Sequence, residues 1–267
     1  MRNKRLAIFL IIFVFFAVVV VLTSTIFSLK SVEVKFLSST SNLTGIETQI
    51  IESGKFRYGE NLFFANKTNY VKRLEKENPY LRVINIESIF PNKFVINAVE
   101  RNECYVIKLS NSGSTNNKYA VTDEYMKVLD ILDVYQNNTA NAIEIKNSQL
   151  ATQQVDVGDF FETDDYFLNL FNSFREWKLS YADLKAKITS IEVNYEKTDR
   201  LLINMRSGVQ IVINKSSNQI SDKLNLAFSF YDTKKDKNGN DVDYTKSGII
   251  LITETETNIY GVYQPVD

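Results

Sequence analysis

Phe90-Pro91-Asn92-Lys93-Phe94-Val95-Ile96-Asn97-Ala98-Val99-Glu100-Arg101 reads as a turn followed by a strand. Pro91-Asn92 supplies the turn, and Phe94, Val95, Ile96, Ala98 and Val99 the apolar strand. Just before it, Val83, Ile84, Ile86 and Ile89 predict another strand running to Phe90. Further back, Asn78-Pro79 stops a helix carrying Tyr70, Val71 and Leu74, which Asn66 or Thr68 can cap. Ile46, Ile50 and Ile51 stand at helical spacing, and that helix closes near Ser53-Gly54, where glycine can take the left-handed cap. Val32, Val34 and Phe36 alternate with Glu33 and Lys35 as a half-buried strand. The order is strand, helix, helix, strand, strand within about 70 residues, and the helices need one face of a small sheet to bury themselves.

Towards the N-terminus, LAIFLIIFVFFAVVVVLTSTIFSL (residues 6–29) carries no charge over 24 residues. At 1.5 Å per residue it makes about 36 Å of helix, enough to cross a hydrocarbon core of about 30 Å with tilt. Fifteen of the residues from Leu6 to Leu22 are Leu, Ile, Phe or Val, which favours insertion by up to about 5–9 kcal/mol. Arg2, Lys4 and Arg5 precede the run, while Lys30, Glu33 and Lys35 nearly cancel after it. The positive-inside rule therefore places the N-terminus in the cytoplasm and the 238 residues beyond the run outside. A cleaved secretory signal has a shorter apolar core and a small-residue cleavage site, and Thr23-Ser24-Thr25 is the nearest approach to one, so an uncleaved anchor is expected. The exported part has a single cysteine and so no internal disulfide, which points to a bacterial surface. The Asn-x-Ser/Thr triplets at Asn42, Asn66, Asn137 and Asn214 arise by chance in a chain so rich in Asn.

Beyond Arg101, Ser110–Asn117 is polar and turn-forming, a linker or a long hairpin loop. Short strands are predicted around Tyr119–Val121, Lys127–Leu129 and Ala142–Ile145. Thr163 caps a helix with Phe167, Leu170, Phe171, Phe174 and Trp177 on one stripe, which reads as core. Strands follow at Ile188–Asn194, Arg200–Arg206 and Val209–Ile213, the last two joined by a two-residue turn at Ser207-Gly208. A second helix carries Ile220, Leu224, Ala227, Phe228 and Tyr231, and the strands Ile249–Thr253 and Ile259–Tyr263 close the chain. The expected fold class is α+β: an anchor, then a small strand-helix-helix-strand-strand unit, then a mainly antiparallel β domain with two helices.

Composition prunes the chemistry. The chain has 267 residues, 44% hydrophobic and 24% charged, so it folds rather than remaining disordered. Removing Arg2, Lys4 and Arg5 from the 31 basic residues leaves 28 against 32 acidic, a net of −4, which argues against nucleic acid as a partner. There is no His, so triad hydrolases and His-ligated zinc are excluded together. Cys104 lies in the apolar run Cys104-Tyr105-Val106-Ile107 and reads as a buried hydrophobe. Lys246-Ser247-Gly248 and Ser216-Ser217-Asn218 mimic two boxes of penicillin-binding proteins, but no S-x-x-K occurs to supply the nucleophile. Asp236–Asp243 looks like a calcium loop, yet aligning Gly239 to the invariant glycine puts Lys234 in the first ligand position. With 9 Gly in the chain there is neither a P-loop nor a dinucleotide fingerprint. No enzymatic activity, cofactor or metal is expected. A terminal edge strand does offer free backbone groups to a partner, and Thr253-Glu254-Thr255-Glu256-Thr257 is charged enough to discourage indiscriminate pairing.

The basic start, the apolar run, the strand-helix-helix-strand-strand order and the Phe90–Arg101 segment together resemble the bacterial cell-division family FtsQ/DivIB. In that family a POTRA domain follows the membrane span and ends in an aromatic-Pro turn, an apolar strand and a Glu-Arg pair. Tyr58-Gly59-Glu60-Asn61-Leu62-Phe63 resembles the Gly-x-Asn-Leu-Phe segment between its helices. Tyr119-Ala120-Val121-Thr122-Asp123-Glu124 resembles the start of its β-domain hairpin, and Lys223-Leu224 a pair in its late helix. The chain departs from the pattern at Asn102-Glu103-Cys104, where a proline is usual, at Tyr125 in place of a hairpin glycine, and in an extra loop at Asp232–Tyr244. The resemblance implies a cytoplasmic tail at 1–5, a transmembrane helix at 6–29, a POTRA domain at 30–102, a β domain at 103–263 and a tail at 264–267. It makes Ser110–Asn117 a hairpin loop within the β domain. It further implies a non-enzymatic scaffold at the division septum that links FtsL and FtsB/DivIC-type partners and regulates the septal peptidoglycan synthase complex indirectly. By that analogy a partner strand adds to Ile249, Ile250, Leu251, Ile252 and Thr253 or to Ile259, Tyr260 and Tyr263, with Ile250, Ile252 and Tyr260 giving selectivity. The other reading is a membrane-anchored surface-binding domain for carbohydrate or protein, which needs a cluster of exposed rings.

Overall fold

The computed structural model describes residues 10–15, 25–38, 41–110, 118–135, 142–176, 181–194, 198–233, 241, 248–256 and 258–265. They belong to two compact units, Met1–Arg101 and Asn102–Asp267.

The first unit comprises β1 (Ser31–Phe36), α1 (Glu47–Ser53), α2 (Lys67–Glu77), β2 (Leu81–Ile89) and β3 (Lys93–Glu100). β3 is central, parallel to β1 and antiparallel to β2. Phe94, Ile96 and Ala98 of β3 are fully buried and belong to one core with Leu81, Val83 and Ile86 of β2 and Ile50, Tyr70 and Leu74 of the helices. Strict alternation would place Ile86 on the solvent face if Val83 points inward. A bulge between Val83 and Asn85 inserts Ile84, which is left exposed, and returns Ile86 to the core.

Asn66 caps α2 by accepting from the Asn69 N–H at 3.2 Å, and Asn78 ends it by donating to the Leu74 carbonyl at 2.8 Å and to Ser53 Oγ at 2.7 Å. After α1 the left-handed residue is Lys55 (φ 47°), not Gly54, whose φ of −64° is helical. Gly54 is needed for a different reason: a Cβ there would overlap the Phe56 ring.

Most of the expected span at 6–29 lies outside the described residues, as do Arg2, Lys4 and Arg5. Among the described residues no helix is long and apolar enough to cross a membrane. Residues 10–15 are helical with every side chain exposed. The end of the expected span is corrected by the structure. The Leu29 N–H donates to Glu60 O, the Leu62 N–H to Phe27 O, and Leu29 is buried in the first core, so residues 27–29 belong to the folded unit. The absence of charge through Leu29 hides this boundary from hydropathy alone.

The second unit comprises β4 (Tyr105–Leu109), β5 (Lys118–Thr122), β6 (Val128–Leu132), β7 (Ile143–Lys146), α3 (Ser148–Ala151), α4 (Asp165–Glu176), α5 (Tyr181–Lys187), β8 (Ile188–Asn194), β9 (Arg200–Met205), β10 (Gln210–Asn214), α6 (Ile220–Thr233), β11 (Gly248–Glu254) and β12 (Ile259–Pro265). Its strands form one sheet in the order β12-β11-β10-β9-β8-β7-β4-β5-β6. The β4/β7, β7/β8 and β10/β11 pairs are parallel and the other five antiparallel. One face carries the core: Phe167, Leu170, Phe171 and Phe174 of α4 and Leu224, Ala227 and Phe228 of α6 cluster with Tyr105, Ile191, Ile203, Ile211, Ile250 and Ile252.

Several expectations are corrected here. The described residues of this unit hold four helical segments where two were expected, because α3 and α5 are too short to show a period. Asp164, not Thr163, caps α4, its carboxylate accepting the Phe167 N–H at 3.1 Å. The β9–β10 turn has three residues, Arg206-Ser207-Gly208, since Met205 N–H donates to Val209 O and Gly208 takes φ +91°. β12 runs to Pro265, into the expected tail. In the hairpin where Tyr125 replaces glycine, Met126 takes the positive φ of 63°, and the Asp123 carboxylate accepts from the Tyr125 and Lys127 N–H groups at 2.8 and 2.9 Å. Trp177, Ser110–Asn117 apart from Ser110, and most of Asp232–Tyr244 lie outside the described residues.

Candidate partner-binding edge

β11 and β12 form the last hairpin of the large sheet. The Thr255 N–H donates to Asn258 O at 2.9 Å and the Asn258 N–H to Thr255 Oγ1 at 3.2 Å, closing the turn. From that bonded pair the register runs Glu254↔Ile259, Thr253↔Tyr260, Ile252↔Gly261, Leu251↔Val262 and Ile250↔Tyr263. Antiparallel pairs alternate between bonded and non-bonded. Tyr260 and Val262 therefore turn their backbone groups toward β11, and Ile259 and Gly261 turn theirs away from it. Among the described residues no strand lies beyond β12.

β11 is paired on both sides, with β10 and with β12. This relocates half of the expected site. Ile249, Ile250, Leu251, Ile252 and Thr253 have no edge to offer, and Ile250 and Ile252 are wholly buried in the core, so neither reads a partner. Ile259, Tyr260 and Tyr263 lie on the terminal strand, with Tyr260 at 44% exposure. Gly261 permits close packing there: a Cβ would stand 3.0 Å from Ile252 Cδ1 and from Phe230 Cε2.

The opposite edge, β6, is blunted. Val128 exchanges hydrogen bonds with the 158–159 segment, its N–H donating to Asp159 O and its carbonyl accepting from the Gly158 N–H, both at 2.8 Å. The Ile131 N–H is taken by the side chain of Asp130 at 2.8 Å. Both devices keep strands from adding at that side.

The open hairpin is pinned at its turn by a buried cation. Lys223 of α6 has no exposure, yet its Nζ donates to Lys215 O at 2.7 Å and Asn214 O at 3.3 Å and pairs with Glu254 at 2.7 Å. Asn218 Nδ2 reaches both Glu254 oxygens at 3.2 Å, and Lys215 Nζ stands at 3.6 Å. The Lys223 bond, then that of Asn218, hold the Glu254 carboxyl below the usual carboxylate range. The final residue of β11 is thereby fixed to the end of β10 and to α6. In the sequence Glu254 reads only as a deterrent charge, and the lysine within the apolar stripe of α6 is the one signal of its partner.

The hydroxyls of the penicillin-binding-protein mimic are occupied structurally. Ser217 Oγ and N–H both donate to Asp199, at 2.8 Å each, and Tyr166 Oη donates to Ser216 Oγ at 3.0 Å. Burial pushes the Tyr166 hydroxyl up to about 12 and raises the Cys104 thiol far above its ordinary value, so neither ionises near neutral pH. Among the described residues no group of three or more Asp, Glu or Cys side chains could hold a metal.

The family description "POTRA domain, FtsQ-type" matches residues 27–101. A cell division protein DivIB of Clostridium tetani is 28% identical over 80% of this chain and 73% of its own length. Those of Clostridium acetobutylicum and Clostridium botulinum are 25% and 24% identical, over 82% and 94% of this chain and 82% and 93% of theirs. Residues 27–101 thus match an FtsQ-type POTRA domain, and the chain is similar over most of its length to DivIB cell division proteins.

Glu100 and Arg101 close the POTRA unit. Glu100 accepts from the Ser41 N–H at 2.6 Å, Ser41 Oγ at 3.0 Å, the Asn42 N–H at 3.1 Å and Asn42 Nδ2 at 2.7 Å. Burial alone would raise its carboxyl, but these four donors outweigh it and hold the group below the usual range. Arg101, nearly buried, pairs with Glu75 of α2 at 2.9 Å and donates from Nε to Leu81 O at 3.1 Å. The pair thus ties the end of β3 to the 41–42 loop, to α2 and to the start of β2. In the Gly-x-Asn-Leu-Phe segment, Gly59 has φ +90° and Asn61 bridges to Ser28. Lys223, of the pair Lys223-Leu224, is the buried anchor of the β11–β12 hairpin described above.

Proposed function

We propose that this chain is a cell-division scaffold of the FtsQ/DivIB kind, held by one membrane-spanning helix with its N-terminus in the cytoplasm, that captures a partner strand on the exported edge β12. The supporting observation is the asymmetry of the large sheet: β6 is covered and self-capped, whereas among the described residues β12 ends the sheet with the Ile259 and Gly261 backbone groups directed outward. Main-chain hydrogen bonds supply the affinity and Tyr260, flanking the edge, contributes selectivity. FtsL and FtsB/DivIC-type proteins are the proposed partners, and septal peptidoglycan synthesis is regulated through them without chemistry by this chain.

Proline at Ile259 tests this, because the first residue of an edge strand tolerates it without losing a β11 bond. Ile259→Pro is expected to abolish co-purification of a DivIC-type partner while leaving the far-UV spectrum intact. Retained binding in the folded variant refutes strand addition at this edge. A functional fluorescent fusion at Met1 is expected to form a mid-cell ring, and an even membrane outline refutes the division role.

The surface-binding reading keeps one observation in its favour, since exposed rings do cluster in the first unit around Phe63 and Phe90. Their position gives them another role.

A further inference from the structure

Phe27, Phe63 and Phe90 form a ring cluster with centroids 5.0–5.5 Å apart, the Phe63 and Phe90 rings stacked and Phe27 edge-on to both. These rings are not core. Phe63 and Phe90 are more than half exposed, Phe64 is 87% exposed, and Tyr58, Ile26 and Ile89 add apolar surface from the same segments. An exposed apolar cluster of this kind is costly in water and marks an interaction surface.

Backbone bonds hold it together. Ser28 bridges to Asn61, the Leu62 N–H donates to Phe27 O, and the Lys30 N–H donates to Asn92 O. The 59–64 loop and the β2–β3 tip are therefore both tied to residues 27–30. Phe27 lies within the uncharged run of residues 6–29, at the point where the folded unit takes over from it. Within that run, residues 10–15 form a helix exposed all round, with only Leu, Ile, Val and Phe side chains. That surface suits hydrocarbon and not water.

We propose that the Phe27–Phe63–Phe64–Phe90 cluster inserts into the interfacial layer of the bilayer from which the chain emerges, so that the POTRA unit is docked on the membrane. The inference rests on the reading of the uncharged run from Leu6 up to Phe27 as a membrane anchor. Aromatic side chains at that depth bury their rings among the acyl-chain ends while the flanking backbone stays hydrated.

The test uses the full chain reconstituted in phosphatidylcholine and phosphatidylglycerol vesicles, with and without bromine on the acyl chains. Phe64→Trp places a fluorophore in the cluster. Glu77→Trp places one at the far end of α2, about 16 Å along the helix axis. The native chain, with its one Trp, sets the baseline. Bromination is expected to reduce the emission added at position 64 roughly twofold, the depth expected of an interfacial ring, and to leave that added at position 77 unchanged. Equal quenching at 64 and 77 in a chain that floats with the vesicles overturns the docking and returns the cluster to a soluble ligand. A chain that fails to float overturns the anchor, and the docking with it.

Discussion

Replacing Arg101 with Met should loosen the POTRA unit and spare the β domain. The side chain is 5% exposed and donates to Glu75 at 2.9 Å and to the Leu81 carbonyl at 3.1 Å. Leu81 has no exposure, so its carbonyl loses its Arg101 donor in a site that water does not reach. Breaking a buried pair from one side costs about 3–5 kcal/mol. An independent count agrees: a charge-assisted bond contributes about 1.5–3 kcal/mol, and an orphaned buried acceptor costs about 1–3 kcal/mol. Such a loss lowers amide protection by roughly two to four orders of magnitude, at about 1.4 kcal/mol per tenfold. Hydrogen exchange with mass-spectrometric readout on the full chain should find that loss in β2 and β3, with protection in β8 and β9 unchanged. Arg101→Lys should recover only part of it, since an ammonium cannot keep the two-pronged geometry. A protection change below about tenfold in Arg101→Met refutes the claim that this pair holds the unit closed.

Phe174, 1% exposed and edge-to-face with Phe228, should cost about 3–5 kcal/mol on truncation to Ala, seen as a lower urea midpoint with unchanged slope; a loss under about 1 kcal/mol removes α4 from the core. Glu100 is held below its ordinary value of 4.5, so its contribution is complete above the unfolded pKa and fades as pH falls through the folded one. Thermal melts from pH 6 down to pH 3 should therefore show a smaller decline in Glu100→Gln than in the native chain, and parallel curves refute the four-donor account. Cys104, buried and with its thiol raised, should resist maleimide at neutral pH in the native chain and label on unfolding; prompt labelling of the folded protein contradicts its burial.

Long periodic segments were legible in the sequence because their pattern and their burial are the same fact. The stripe Phe167, Leu170, Phe171, Phe174 is core, and Asn66 and Asn78 bound α2 as their positions predict. What sequence could not show was which strands neighbour which. β10 and β11 lie side by side in parallel across a connection of more than thirty residues, and only that pairing removes Ile250 and Ile252 from any edge. Hydropathy also misplaced the end of the apolar run, since Phe27 and Leu29 are as apolar as the residues before them but belong to the folded unit. The β2 bulge was hidden for a related reason: Ile84 is as apolar as Val83 and Ile86, and only the register shows it displaced. Buried Lys223 reads as an ordinary charged helix residue until Glu254 is brought to it by the fold.

Among the described residues the large sheet has one sealed margin and one open margin, and this sets a limit on what it can build. A sheet open at both sides can be extended indefinitely, each added copy presenting a fresh edge to the next. Here a second copy received β12 to β12 leaves only the two β6 margins, where Asp130 and the 158–159 segment already occupy the backbone. Two copies meeting through β12 would form a closed pair with nothing further to offer. Self-association at this edge would therefore stop at two copies and not grow into a longer array.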